Sequence, residues 1–102
     1  MNKLVNDGKV AVLVSPGFGA GWSTWNPDCP DMLFDPGMVD LVIKGDQEQM
    51  RAYAELKWPD AYMGGLNNLD VVWVEQGQLI KINEYDGSET IEYRDSDDWI
   101  TV

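Results

Sequence analysis

The chain has 102 residues, 44% of them hydrophobic and 25% charged, which suits one packed domain and leaves no room for a second. Its 18 acidic and 7 basic residues give a formal net charge of −11, which disfavours direct contact with nucleic acid or with an anionic membrane surface. With no histidine and a single cysteine, Ser-His and Cys-His nucleophiles, most zinc sites and an intramolecular disulfide are excluded.

In chain order, residues 1–8 are polar and show no signal-peptide pattern. Lys9–Val14 (KVAVLV) is a short, β-branched apolar run, the pattern of a buried strand. Ser15-Pro16-Gly17 stops it. Gly17–Asp35 has neither helical nor strand period and reads as a long structured loop, ordered by Phe18, Trp22, Trp25 and Phe34. Asp35-Pro36 is a helix start, an acidic cap followed by proline at the first helical position. Met38 to Ile43 make that helix apolar, and Gly45 suits its left-handed end. Asp46-Gln47-Glu48-Gln49 opens a second helix with Met50, Tyr53 and Ala54 on one stripe, ended by Pro59.

The last third is β: Val71–Glu75, Gln78–Tyr85 and Ser88–Tyr93 read as strands, and Trp99–Val102 as a short edge strand after the polar Asp95–Asp98. The order β-loop-α-α-β-β-β predicts an α+β fold, a small antiparallel or mixed sheet with two helices packed on one face. Asp86-Gly87 is a two-residue type I′ turn, and it fixes the register of its hairpin. Tyr85 then faces Ser88, Glu84 faces Glu89, Asn83 faces Thr90 and Ile82 faces Ile91.

That register places Glu84 and Glu89 opposite each other on the apolar face, where two carboxylates repel. Three arrangements relieve this. Both acids reach past the core into water, or they accept hydrogen bonds from the glycine loop's amides, or they bind a ligand's hydroxyls, an amine, a basic partner or a metal ion. Two carboxylates alone make a poor metal site. The loop itself, Ser15 to Asn26, has alternate glycines (Gly17, Gly19, Gly21) directly after a strand. Its amides can cradle a phosphate, or Phe18, Trp22 and Trp25 can stack on a planar group with Ser23, Thr24 and Asn26 as polar contacts. It can also be a tight turn whose rings cap the core. Cys29, between Asp28 and Pro30-Asp31, is a thiol whose pKa neighbouring negative charge should raise, reducing its reactivity.

The runs SPGFGAGWSTWN (Ser15–Asn26), LFDP (Leu33–Pro36) and EYDGSE (Glu84–Glu89) resemble a family of small acidic bacteriophage proteins. The resemblance covers about residues 9 to 102 and implies a short, host-modulating phage gene acting in the host cytoplasm; it carries no activity over. The candidate ligand-binding residues are therefore Ser15, Gly17, Phe18, Gly19, Gly21, Trp22, Ser23, Trp25 and Asn26 of the loop, with Glu84, Tyr85, Asp86 and Glu89 of the hairpin. No catalytic residue, metal or cofactor is expected.

Two functions follow as expectations. One is a non-enzymatic protein, expected to be a homo-oligomer, that sequesters a small nucleotide-like immune signal; it would need Arg51, Arg94 or backbone amides to offset phosphate charge. The other is an acidic mimic of nucleic acid that inhibits a basic host nuclease of the restriction or CRISPR type. Both require the early loop to fold back on the tip of the late hairpin.

Overall fold

Residues 2–94 and 100–102 are described by the computed structural model. The apolar run forms β2 (Lys9–Val14), which turns directly from a short β1 (Val5–Asn6) through Asp7 and Gly8, both at positive φ. β2 is the middle strand of an antiparallel sheet, flanked by β1 and by β3 (Asp70–Glu75), with Val10 opposite Val74 and Val12 opposite Val72. Ala11 and Leu13 point to one side, and Val10, Val12 and Val14 to the other. Both sides are covered, which is why this strand is continuously apolar instead of alternating. Each fully buried Val or Leu here contributes roughly 1.5–3 kcal/mol of transfer free energy.

On the Ala11–Leu13 side lie α1 (Pro36–Lys44) and α2 (Gln47–Lys57). Asp35 caps α1 by accepting from the Met38 amide at 2.9 Å, and Asp46 caps α2 by accepting from Gln49 at 3.0 Å. Gly45, at φ 75, closes α1 by donating its amide to Leu41 and Val42. The helices bury Met38, Val39, Met50 and Ala54 around Trp22 and Trp58, whose rings meet edge to face at 5.8 Å. Short 3-10 turns at Ser23–Trp25, Pro30–Leu33 and Leu66–Asn68 complete this layer.

The other side of β2 is covered by a second sheet in which β4 (Leu79–Tyr85) lies between β5 (Ser88–Arg94) and β6 (Ile100–Thr101). Ile80, Ile82 and Ile91 pack against Val10, Val12, Val14, Val72 and Val74. The α+β class and element order match the sequence reading, with the strands divided between two sheets. Alternation along a strand reveals which face is buried, and it cannot tell pairing from face-to-face packing. The predicted hairpin register holds at every pair, from Tyr85–Ser88 to Ile80–Tyr93, and Asp86 and Gly87 take the positive φ of a type I′ turn. Of the expected tail, Asp95–Trp99 lies outside the described residues; Ile100 and Thr101 pair with Ile80 and Leu79.

Asp35 does more than cap. Its buried carboxylate also accepts from the Tyr53 hydroxyl at 2.7 Å and is ion-paired with Lys57. Burial pushes its pKa up, and the hydrogen bonds from Lys57, Tyr53 and Met38 outweigh that, leaving it below the ordinary aspartate value. A carboxyl depressed on folding contributes stability that is full above the unfolded pKa, about 3.9, and is lost as pH falls through the folded value. Asn at position 35 caps equally well and cannot pair with Lys57. We expect Asp35→Asn to be less stable than the parent at neutral pH, and the difference to shrink in urea titrations as pH falls below the unfolded value of about 3.9 and on through the lower folded one. A pH-independent difference would rule out the ion pair as its source.

Candidate functional site

The stretch after β2 has no ladder of its own, so its backbone must find partners elsewhere. It finds them on the β4–β5 hairpin. The Glu89 amide donates to Ser15 O at 2.9 Å, the Gly19 amide to Asp86 O at 2.8 Å, and Ser88 Oγ to Pro16 O at 2.7 Å. Loop and hairpin tip are therefore in contact, as the candidate set requires. Gly87 sits tightly against the loop: a Cβ there would lie 2.7 Å from Ala20 Cα and Gly19 C, and closer still to the Ala20 amide.

The centre of this contact is Glu89, only 1% exposed. Its Oε1 accepts from the Ser15 amide at 2.9 Å, and its Oε2 from the amides of Trp22 at 2.8 Å and Thr24 at 3.1 Å. The Thr24 hydroxyl donates to Oε2 as well. Glu84, across the hairpin, is exposed and accepts from Trp25 Nε1 at 2.9 Å. One acid is turned inward among donors and the other outward, which resolves the opposition of the two.

This geometry corrects the phosphate reading of the loop. The amides of Ser15, Trp22 and Thr24 face Glu89, and that of Gly19 faces Asp86. The anion held in this cradle is the protein's own carboxylate. The stacking platform is corrected too: Trp22 is fully buried, with its Nε1 donating to Met32 O at 2.7 Å. Asn26 is also internal, bonding Trp22 O and both the amide and the carbonyl of Tyr62. Ser15 Oγ donates to Ala20 O. A Cβ on Gly17 would strike Asn68, and one on Gly21 would strike Thr24 and Trp25, so these two glycines serve internal packing. Phe18, Trp25, Glu84, Tyr85 and Asp86 stay at the surface, with Phe18 72% and Tyr85 78% exposed. Arg51 lies against Glu55 on α2 at 4.0 Å.

Beside the loop is a cavity of about 330 Å³. Pro27, Pro30, Leu33, Phe34 and Ile82 form its apolar walls, while Ser23, Thr24, Asn26 and Lys81 supply polar edges. Ser23 and Asn26 belong to the candidate set. The prolines, Leu33 and Phe34 were missed because a 3-10 turn of three or four residues leaves no periodic signal, and Lys81 and Ile82 because a strand's alternation does not show which loop will pack beside it. A second cleft, of about 300 Å³, shares Asn26 and Pro27 with the first and is also lined by Trp25 and Tyr62, whose rings pack together at 5.2 Å. Cys29 lines it, and burial, followed by the charges of Asp31, Asp28 and Asp60, pushes its thiol above the ordinary value. Among the described residues, no group of three or more His, Cys, Asp or Glu side chains is placed to hold a metal ion.

Compared with family models, curated proteins and solved structures, the chain matches none.

Two stability predictions follow from the Glu89 contact. Glu89→Gln sets an NH₂ among donors, leaving at least one buried N–H unmatched; we expect a loss of about 3 kcal/mol, against under about 1 kcal/mol for Glu84→Gln. Equal losses in guanidinium denaturation would refute the asymmetry. Gly87→Ala and Gly77→Ala impose the same left-handed strain, at φ 86 and 90, but only position 87 meets backbone. Gly77→Ala should cost about 1 kcal/mol and Gly87→Ala at least ~2 kcal/mol more. Matching midpoints would mean the loop is not pressed on the hairpin tip.

Proposed function

We propose that this chain is a non-catalytic binding protein that holds a small nucleotide-like molecule in the cavity beside the glycine-aromatic loop, removing an immune signal in the interest of a phage. The cavity carries this reading. Its volume falls within the roughly 300–1,000 Å³ of small-molecule sites, and apolar walls with a few polar edges are their usual lining. A planar base suits Pro27, Pro30, Phe34 and Ile82, with the Ser23 hydroxyl and Lys81 at the margins. The resemblance to small phage proteins supports the setting. The absence of histidine and the raised Cys29 thiol support binding without catalysis.

The satisfied amides restrict the ligand. A polyphosphate would find few donors at the loop, and the net charge of −11 repels it. The proposed ligand therefore carries little charge for its size, as a nucleoside or a cyclic nucleotide does, and binds by its ring.

A second reading, the acidic mimic that blocks a host nuclease, is supported by the surface charge: Glu84 and Asp86 are exposed at the hairpin tip. A basic partner held this way would be released by salt.

Calorimetry against nucleosides, cyclic mono- and dinucleotides and ADP-ribose derivatives tests the first reading. We expect micromolar or tighter binding of at least one, weakened about ten-fold or more by Ser23→Phe, which fills the cavity from a residue outside the core. Native mass spectrometry of protein from defence-carrying cells adds the subunit count and any bound molecule. No heat from any panel member with folded protein would end the nucleotide reading.

A further inference from the structure

We infer that the outer edge of β3 is the contact surface for a second copy of this chain, the two β3 strands pairing antiparallel about a two-fold axis at Trp73. Sheet order leaves β3 at an edge, next to β2 alone. The ladder shows which of its backbone groups face outward. The Ala11 amide donates to Leu4 O at 3.0 Å and so faces β1, while Gly8 O accepts from the Gln76 amide at 2.9 Å and faces β3. These directions alternate along a strand, so Val10, Val12 and Val14 exchange hydrogen bonds with Val74, Val72 and Asp70. Val71, Trp73 and Glu75 therefore turn their N–H and C=O groups away from the sheet. Two of those groups are already taken. The Val71 amide donates to Asp70 Oδ1 at 3.0 Å, and Glu75 O accepts from the Gln78 amide at 3.1 Å. Among the described residues, nothing pairs with the amides of Trp73 and Glu75 or with the carbonyls of Val71 and Trp73. An edge of this kind is a template for another strand.

The pattern of open groups matches its own copy. In the register centred on Trp73, that residue exchanges both bonds with Trp73 of the second copy, and the Glu75 amide donates to Val71 O of the second copy. The Val71 amide and the Glu75 carbonyl, already used, fall opposite each other, so no open group is left over. Charge agrees with this register. Glu75 faces Val71 and Asp70 faces Gln76 of the other copy, so no acid opposes an acid although each chain carries a net charge of −11. The contact also covers Trp73, a large apolar side chain left 37% exposed. The other long edge, that of β5, does not offer such a match. Its outward residues are Glu89, Ile91 and Tyr93, and the Glu89 amide is held by Ser15 O at 2.9 Å. Pairing centred on Ile91 needs that amide, and pairing centred on Glu92 sets Glu92 against itself.

Sedimentation and amide hydrogen exchange of the unmodified protein test this without any ligand, so a failed nucleotide panel and a failed dimer are told apart. We expect a monomer–dimer equilibrium with dimer dominant at about 100 µM protein. Exchange at the Trp73 and Glu75 amides should slow about ten-fold or more from dilute to concentrated solution, with Ile91 and Tyr93 unchanged. Trp73→Lys sets like charges opposite each other and should raise the dimer dissociation constant about ten-fold or more, whereas Tyr93→Lys on the β5 edge should leave it within about two-fold. The signal of the buried Trp22 indole N–H, bonded to Met32 O, reports in ¹H–¹⁵N spectra that each variant is folded. A monomer at every concentration, protection appearing at Ile91 and Tyr93 instead, or a dimer indifferent to Trp73→Lys overturns the proposal.

Discussion

A stretch of irregular chain buried against a core needs partners for its amides, and the loop after β2 obtains three of them from one side chain. Glu89 reaches those amides across 65 to 74 residues of sequence, so its carboxylate ties the exit of β2 to the β4–β5 hairpin. Burying that group is costly unless donors surround it, and unmatched amides around it would be costly in turn. Each defect cancels the other. The cavity walls at Ser23 and Thr24, the tether from Trp25 to Glu84 and the position of Asn26 all depend on the loop staying where Glu89 holds it.

The hairpin was readable because its information is local. Asp86-Gly87 allows one turn type, that turn fixes one register, and the register alone puts Glu84 opposite Glu89. Asp7-Gly8 carries the same signal and makes the same kind of turn, yet β1 went unread, since two polar-flanked residues make no strand pattern. Helix starts were equally local: Asp35-Pro36 and Asp46 through Gln49 announce their own caps. What Glu89 does was not local. Water, loop amides and ligand were all consistent with the sequence, and only the long-range return of the loop selects the second. Trp22 was misjudged for a related reason: a tryptophan in an aperiodic loop gives no sign of whether its ring points to core or to solvent.

The division into two sheets was likewise hidden. Val72, Val74, Ile80 and Ile82 alternate just as strands of one sheet would. The sandwich arises because β4 takes β5 and β6 as hydrogen-bonded neighbours and meets β2 and β3 only through side chains. That arrangement buries both faces of β2 in a chain of 102 residues, so the core can be deep although the protein is small. It leaves the hairpin tip free of core duty and available to brace the loop.

The charge distribution then acquires a physical logic. Asp35 and Glu89, the buried acids, are saturated with donors, while the acids left at the surface near the rings are not. An anion approaching the loop meets amides already in use. Asn26 and Pro27 line both the apolar cavity and the second cleft. Asn26 makes three hydrogen bonds, to Trp22 O and to both backbone groups of Tyr62, so the partition is a fixed wall. A concave surface built on so braced a loop is preorganised, and filling a preorganised surface costs little further ordering.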